Sequence, residues 1–174
     1  MNMESNPMEK INACAPTKCR ALQVGLVALL VFALDQLSKY WVVVVVGMQT
    51  RPPVVLNEYM SLVMAWNRGV SFSMFSHESQ VMPYVLTLLA VVVSAILARL
   101  ALKSERRWER IGYAMVIGGA LGNALDRLRH GAVADFLYVH VGALGWPAFN
   151  VADSGICIGV GLLLICLVKH PARP

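Results

Sequence analysis

Four apolar stretches constrain the fold of this 174-residue chain more than any other feature of its sequence. They are Ala21 to Leu34, Val81 to Leu102, Ile111 to Leu125 and Gly155 to Val168. An α-helix needs about 20 mostly apolar residues to cross the ~30 Å hydrocarbon layer of a bilayer. Only the second stretch, with 22 residues, is long enough alone. The other three can cross only if they include their polar neighbours.

These polar neighbours are Asp35 to Trp41, Asn123 to Arg127 and Asn150 to Ser154. They are therefore expected to lie at the ends of membrane helices. The chain is 57% hydrophobic and 14% charged, whereas a soluble domain is about half apolar and about a quarter charged. This composition argues against a water-soluble globule and against disorder. It predicts a mainly α, polytopic protein with four transmembrane helices, formed by a single membrane domain over residues 1–174.

The predicted helices cover about 21–43, 81–103, 108–128 and 150–169, after a solvated tail at 1–20. The connection at 47–80 is long enough for short strands, because Leu62, Met64 and Trp66 alternate with other residues. The valine run Val42 to Val46 fits either the end of the first helix or a strand. The sequence alone leaves that choice open.

Lysine and arginine set the predicted orientation. Ten of the fifteen lie in the N-terminal tail, near the end of the second apolar stretch or between it and the third, or at the C-terminus. Because such residues accumulate on the cytoplasmic side, both termini are expected there. The polar ends of all three short helices then meet at the outer face. The net charge of +5 is read as this topology signal, and no nucleic-acid partner is expected.

All four aspartates of the chain lie at or near this outer level: Asp35, Asp126, Asp135 and Asp153. An ionisable group at the centre of a membrane helix costs roughly 2.5 to 3.5 kcal/mol on insertion scales, and is a functional candidate by default. The six glutamates all lie in the tail or the connections. The aspartates are therefore the main candidates for chemistry.

Structural roles compete with functional ones for two of the aspartates. Asp35 and Lys39 are spaced i, i+4 and could neutralise each other. Asn123, Asp126 and Arg127 share a helix face, so an Asp126–Arg127 pair could be scaffolding. Both alternatives stay open at this stage. The GxxxG spacings Gly118/Gly122 and Gly155/Gly159 are more typical of close helix packing than of chemistry.

Asp135 and Asp153 are the strongest catalytic candidates, because neither has a basic residue near it in the sequence. Asp153 falls in the first turn of the fourth helix, where the helix dipole favours a negative charge. Asp135 lies among apolar residues and has more reason to keep a proton. Two carboxyl groups in unlike environments that share one proton are the working parts of an aspartic protease. No HExxH motif or paired CxxC spacing occurs, and no metal or cofactor is expected.

A proton-coupled carrier or channel subunit is the alternative from another class, with the aspartates as a relay. The short chain and the missing inverted repeat argue against it. A scaffold without activity is a third hypothesis. Ion or solute flux without peptide cleavage would favour the carrier.

Five short runs resemble the motifs of the lipoprotein signal peptidase family, also called signal peptidase II, and occur in the family's order. They are Asp35-Gln-Leu-Ser-Lys39, Asn67-Arg-Gly69-Val-Ser-Phe72, Gly118-Gly-Ala-Leu-Gly-Asn123-Ala-Leu-Asp126-Arg127, Val133-Ala-Asp135-Phe136 and Phe149-Asn150-Val-Ala152-Asp153-Ser154. The departures are Arg68, where the family often has Thr, Ala134, where it often has Val, and a longer N-terminal tail.

The resemblance implies an aspartyl endopeptidase of the bacterial inner membrane with a small extracytoplasmic β-cradle. Such enzymes remove the signal peptide of prolipoproteins on the N-terminal side of a diacylglyceryl cysteine. The expected partners are prolipoproteins, membrane lipids and the inhibitor globomycin. The resemblance implies a catalytic dyad of Asp135 and Asp153; substrate-binding positions at Asn67, Asn123, Arg127 and Asn150; and supporting positions at Asp35, Lys39, Gly69, Asp126 and Ala152.

Overall fold

The computed structural model describes residues 17–69, 81–142 and 144–169. Its elements are, in order, α1 Thr17–Tyr40, a π-helical turn Trp41–Val45, β1 Val54–Asn57, β2 Met60–Asn67, α2 Met82–Lys103, α3 Arg107–His130, β3 Val133–Val141, β4 Leu144–Gly145 and α4 Val151–Lys169. Residues 1–16 of the expected tail and 70–80 of the outer connection lie outside the described residues. The latter include Val70 to Phe72 of the second motif.

The first helix begins earlier than the sequence pattern indicates. It starts at Thr17 rather than at about residue 21, so residues 17–20 belong to α1 and not to a tail. Lys18 and Arg20 do not stop the helix, because long basic side chains can run along an apolar helix while their charged ends stay in water. The other three helices begin and end within two residues of the expected ranges.

The valine run forms the end of the first helix rather than a strand, and it does so as a π-helical turn. Trp41–Val45 is a π-helical turn, in which the backbone N–H of Val46 donates to the carbonyl of Trp41 at 2.8 Å. Val42 is buried with Met48 against Leu62 and Phe136. The turn therefore ends α1 against the sheet. Such turns are frequent at functional sites.

Three of the four long helices are apolar and long enough to cross a membrane by length and composition: Thr17–Val45, Met82–Lys103 and Val151–Lys169. Their large apolar side chains point outward, and Leu88 and Val168 are 65% and 80% exposed. A protein in water rarely leaves such a large contiguous apolar surface uncovered. The chain is therefore a multi-pass membrane protein.

The remaining long helix, α3, lies at the centre of the bundle and packs against α1, α2 and α4. Its 24 residues extend about 36 Å at 1.5 Å per residue, as many residues as α1 has and more than α2 or α4. Arg110, Asn123 and Asp126 are buried on it. Because the other helices cover α3, its surface need not be apolar, and hydropathy alone does not identify it as a span.

Glycines allow the helices to approach α3 closely. A methyl group on Gly118 would collide with the carbonyl of Ala28 in α1, and one on Gly119 with the carbonyl of Ala152 in α4. Gly112 and Gly159 face each other in the same way, each against the other's carbonyl oxygen. The packing role expected for Gly118 and Gly159 is therefore what the structure shows.

A four-stranded antiparallel sheet in the order β1-β2-β3-β4 lies at one end of the bundle. In the β2–β3 pair, Ala65 lies opposite Asp135 and Asn67 lies opposite Val133. Beyond β4, Phe149 pairs with Leu137, and its N–H donates to the Leu137 carbonyl at 3.0 Å. This pairing places the start of α4 beside the middle of β3.

Candidate active site

One hydrogen-bonded network connects every residue that the sequence predicted for the site. The members come from α1, β2, α3, β3 and the start of α4, and they are distant in the chain. Gly131 ends α3 with a left-handed φ of 69° and allows the chain to turn directly into β3. The turn brings the polar end of α3 and the first half of β3 to the same place.

Asp135 is the more buried of the two predicted catalytic aspartates, with 3% of its surface exposed. Its Oδ2 accepts a hydrogen bond from Asn67 Nδ2 at 3.0 Å, and its Oδ1 accepts one from Asn150 Nδ2 at 2.7 Å. Burial raises the pKa of Asp135 to about 6, and the nearby charge of Asp153 acts in the same direction. The two amide donors and the charge of Lys39 oppose the rise.

Asp153 and Asn150 form a reciprocal cap at the start of α4. Asn150 Oδ1 accepts the backbone N–H of Asp153 at 2.9 Å, and Asp153 Oδ2 accepts the backbone N–H of Asn150 at 3.2 Å. This is the geometry of a capping box, in which two N–H groups at a helix start are satisfied together. Asp153 Oδ1 also accepts Asn123 Nδ2 at 2.8 Å. The carboxyl group is thereby fixed in place at the positive end of the helix dipole.

Asn123 and Asn150 use their amide groups within the site. Asn150 Nδ2 also reaches Asn123 Oδ1 at 3.2 Å and the Ala134 carbonyl at 3.4 Å, and Asn123 Oδ1 also accepts Lys39 Nζ at 3.0 Å. Their amides therefore orient the aspartates. Arg127 differs: its Nη1 donates to the Asn123 carbonyl at 3.3 Å, and its buried Nε has no hydrogen-bond partner among the described residues.

The ion pair that the sequence allowed is present for Asp35, whereas Asp126 pairs with a different residue. Asp35 pairs with Lys39, as its spacing allowed, with Nζ and Oδ2 2.8 Å apart. Asp126 lies 2.8 Å from the same Lys39 Nζ, so it is paired across helices rather than with its own neighbour Arg127. All three groups are buried. Removing one partner of a buried ion pair typically costs about 3–5 kcal/mol, because it leaves an uncompensated charge.

Sequence reasoning missed two members of the network. Gln36 Nε2 donates to Asp126 Oδ1 at 3.1 Å and to Asp35 Oδ2 at 3.2 Å. The backbone N–H of Ala134 donates to Asp126 Oδ2 at 3.3 Å. Gln36 lies inside the first motif, but its i, i+1 relation to Asp35 gave no reason to select it. A backbone donor such as Ala134 leaves no signal in side-chain chemistry.

Within 17–69, 81–142 and 144–169, no group of three or more His, Cys, Asp and Glu side chains could hold a metal ion. The fold and the site together define a polytopic membrane protein in which two carboxyl groups meet where a small sheet joins a helical bundle. Asn150 donates to both carboxyl groups, through Nδ2 to Asp135 and through its backbone N–H to Asp153.

Comparison with known sequences identifies the family. The sequence pattern of the family described as Signal peptidase (SPase) II matches residues 27–169. The chain therefore belongs to the signal peptidase II family, and as a member it is a membrane protease, a hydrolase of lipoprotein processing.

Similar curated proteins and solved structures agree with this. A lipoprotein signal peptidase of Azoarcus sp. (strain BH72) is 47% identical over 137 residues, which cover 77% of this chain and 76% of that protein. One of Syntrophotalea carbinolica is 42% identical over 150 residues, covering 85% and 92%. A bacterial membrane enzyme solved by the in meso method at 1.9 Å resolution superposes with a TM-score of 0.72 at 25% identity, covering 84% of this chain and 93% of that one.

Proposed function

We propose that this protein cleaves prolipoproteins on the N-terminal side of a diacylglyceryl-modified cysteine, with Asp135 and Asp153 as the catalytic pair. The observation that carries the proposal is the bridge formed by Asn150, which donates to a carboxyl oxygen of each aspartate. Two carboxyl groups held by one residue, in unlike environments, can share a proton. Membership of the family supports the substrate class.

The environments of the two groups suggest their roles. Asp135 is buried and keeps its proton to about pH 6, so it is assigned the acid. Asp153 is less buried and lies at a helix start, where the dipole favours a carboxylate, so it is assigned the base. A general base must lie within hydrogen-bond reach of the water that it activates.

In the proposed reaction, Asp153 takes a proton from water while the water oxygen bonds to the scissile carbonyl carbon. Asp135 gives its proton to the carbonyl oxygen, which yields a neutral tetrahedral diol. Collapse of this intermediate breaks the C–N bond and restores the carbonyl. The leaving nitrogen takes a proton from Asp153, and a diol hydroxyl proton returns to Asp135. The products are the signal peptide with a new carboxyl group and a lipoprotein with a free amino group on its cysteine.

Arg127 is the member of the network with donor capacity to spare. Its buried Nε has no hydrogen-bond partner among the described residues. We assign it to a substrate carbonyl oxygen, because a guanidinium can donate several hydrogen bonds in a fixed plane. Asn67, Asn123 and Asn150 are assigned to orienting the aspartates, since each one donates a side-chain N–H to Asp135 or Asp153.

The proposed placement is the bacterial inner membrane, with four spans, both termini cytoplasmic and the site near the outer face. The excess of lysine and arginine in the α2–α3 connection supports this orientation. The length of α3 and its burial among three apolar helices support a fourth span. A lipid-modified cysteine in the outer leaflet would then lie at the level of the aspartates.

The test uses the purified full-length protein and a synthetic precursor with a diacylglyceryl cysteine, and its readout is the mass of the products. Asp135→Asn and Asp153→Asn are each expected to lower kcat at least a thousandfold and to leave the protein folded. Glu58→Gln is the matched control, because Glu58 is exposed in the β1–β2 turn. Globomycin is expected to inhibit the wild type, and an unlipidated precursor is expected to resist cleavage.

Full turnover by either asparagine variant would reject the pair. Cleavage of lipidated and unlipidated precursors at equal rates would reject the proposed substrate class. Solute flux in proteoliposomes without any cleavage would instead support the carrier alternative.

A further inference from the structure

The residue before each catalytic aspartate is an alanine with a buried backbone, and each alanine is held in the same way. The N–H of Ala152 donates to Asp35 Oδ1 at 2.9 Å, and the N–H of Ala134 donates to Asp126 Oδ2 at 3.3 Å. Both alanines are at most 2% exposed. Because water does not reach these N–H groups, the two carboxylates are what satisfies them.

A single cation joins the two carboxylates. Lys39 Nζ lies 2.8 Å from Asp35 Oδ2 and 2.8 Å from Asp126 Oδ2. Nζ donates hydrogen bonds to Asp35 Oδ2 and to Asn123 Oδ1, the latter at 3.0 Å. An ammonium group has three donors and no acceptor, and all three of these contacts of Lys39 lie within the network. Lys39 is 5% exposed, so these contacts are shielded from water.

Lys39 is also connected to Asp153 through the side chain of Asn123. Asn123, which accepts from Lys39, donates to Asp153 Oδ1 at 2.8 Å. The backbone N–H of Ala134 in β3 and that of Ala152 in α4 are therefore each bound by a carboxylate that contacts Lys39 Nζ. The Phe149–Leu137 pairing and the Asn150 bridge already join these two segments, and the contacts of Lys39 connect them a further time through α1 and α3.

We propose that Lys39 is a positioning residue that sets the separation of Asp135 and Asp153 by binding the two carboxylates that hold Ala134 and Ala152. The inference rests on the proposed function of the aspartate pair. Lys39 acts through Asp35, Asp126 and Asn123 rather than on the substrate. Its removal should therefore lower kcat and leave KM nearly unchanged.

The charge of Lys39 provides a second readout, which a purely structural role would not change. Among the described residues, the charged groups around Asp135 and Lys39 are Asp35 from α1, Asp126 and Arg127 from α3, and Asp153 from α4. Lys39 lowers the pKa of Asp135. Without this cation the pair should keep its proton to higher pH, so the basic limb of the kcat/KM profile should move upward.

The experiment measures kcat, KM and the pH profile of the purified full-length protein on the diacylglyceryl precursor. Lys39→Met is expected to lower kcat roughly a hundredfold, the loss typical of a small misplacement of catalytic groups, and to move the basic limb to higher pH. Lys39→Arg keeps the charge but not the compact three-donor geometry. It should lower kcat with the limb in place. Lys103→Met, at an exposed lysine of α2, is the matched control.

Lys39→Met leaves two buried carboxylates without their cation, and this variant could fail to fold. The double variant Lys39→Met/Asp126→Asn removes one of these charges and keeps a carbonyl oxygen for the Ala134 N–H. Its folding is checked by thermal unfolding in detergent, and it too should show the lower kcat. Wild-type kcat in Lys39→Arg, or wild-type kcat and basic limb in either methionine variant, overturns the inference. Turnover by Asp135→Asn in the same assay would instead overturn the proposed pair.

Discussion

At the scale of single residues, amide groups determine how the aspartates of this site behave. Burial raises the pKa of Asp135, while Asn67 and Asn150 donate to its two oxygens and oppose the rise. Hydrogen bonds to the charged form of an acid favour that form. The asparagines therefore restrain the proton affinity of Asp135 as well as its position.

Asn67 offers a direct test, because a second asparagine makes the same kind of turn without touching an aspartate. Asn67 Oδ1 accepts the N–H of Gly69 at 2.8 Å, and Asn57 Oδ1 accepts the N–H of Tyr59 at 2.8 Å. Replacing either residue by alanine removes one such turn contact. Only Asn67→Ala also removes the donor to Asp135.

We expect the wild-type kcat/KM to fall as pH rises through about 6, because Asp135 then loses the proton that the pair requires. In Asn67→Ala the ionised form loses a donor, so the pKa of Asp135 rises and this limb moves to higher pH. A hydrogen bond to a charged group contributes roughly 1.5–3 kcal/mol, so kcat should also fall at least about tenfold. Asn57→Ala should match the wild type in both measurements. An unshifted limb in Asn67→Ala would contradict the role given to this donor.

At the scale of elements, close contact between α3 and α4 fixes the start of α4. Gly119 of α3 lies against the carbonyl of Ala152, whose N–H is held by Asp35. A side chain at Gly119 would push α4 away from α3 just beside Asp153. The contact that packs α3 against α4 therefore also fixes the position of the start of α4 at the site.

Gly119→Ala is expected to destabilise the protein and to lower kcat. Overpacking of a close contact costs about 1–3 kcal/mol, and thermal unfolding in detergent should show a Tm lower by several degrees. Gly161→Ala in α4 is the matched control, because nothing lies within 4 Å of a methyl group added there. It should keep the wild-type kcat and a Tm no lower than that of the wild type, since alanine favours a helix over glycine. Equal Tm values for the two variants would show that the Gly119 contact is not limiting.

At the scale of the whole molecule, the two ends of the bundle differ in charge and in structure. The α2–α3 connection and the start of α3 carry a cluster of basic residues. The opposite end carries the sheet, with exposed apolar residues such as Leu144 and Trp146. Basic residues near helix ends favour the cytoplasmic side, so in the proposed orientation the sheet and the site lie outside.

Cysteine labelling tests this orientation. In a protein whose native cysteines are replaced, Leu144→Cys and Arg107→Cys introduce thiols at exposed positions of opposite ends. A membrane-impermeant maleimide should label the Leu144→Cys variant in intact spheroplasts and the Arg107→Cys variant only after lysis. The reverse pattern would place the site on the cytoplasmic side and exclude its access to outer-leaflet lipoproteins.

The sequence by itself determined the elements and the candidate groups of this protein. Apolar stretches require helices in a membrane because backbone groups there must pair within the helix, and the scarcity of aspartates identified Asp35, Asp126, Asp135 and Asp153 directly. Helix periodicity also allowed the Asp35–Lys39 pair, because its members lie one turn apart.

The hydrogen-bond and ion-pair partners of these groups were decided only by the tertiary structure. Asp126 pairs with Lys39 rather than with Arg127, and Gln36 also donates to Asp126. The backbone N–H groups of Ala134 and Ala152 donate to carboxylates of other helices. These contacts join residues up to 117 positions apart, and no local spacing encodes them. Their geometry follows from how closely the glycines let the helices pack, and from the Phe149–Leu137 pairing that brings α4 to the sheet.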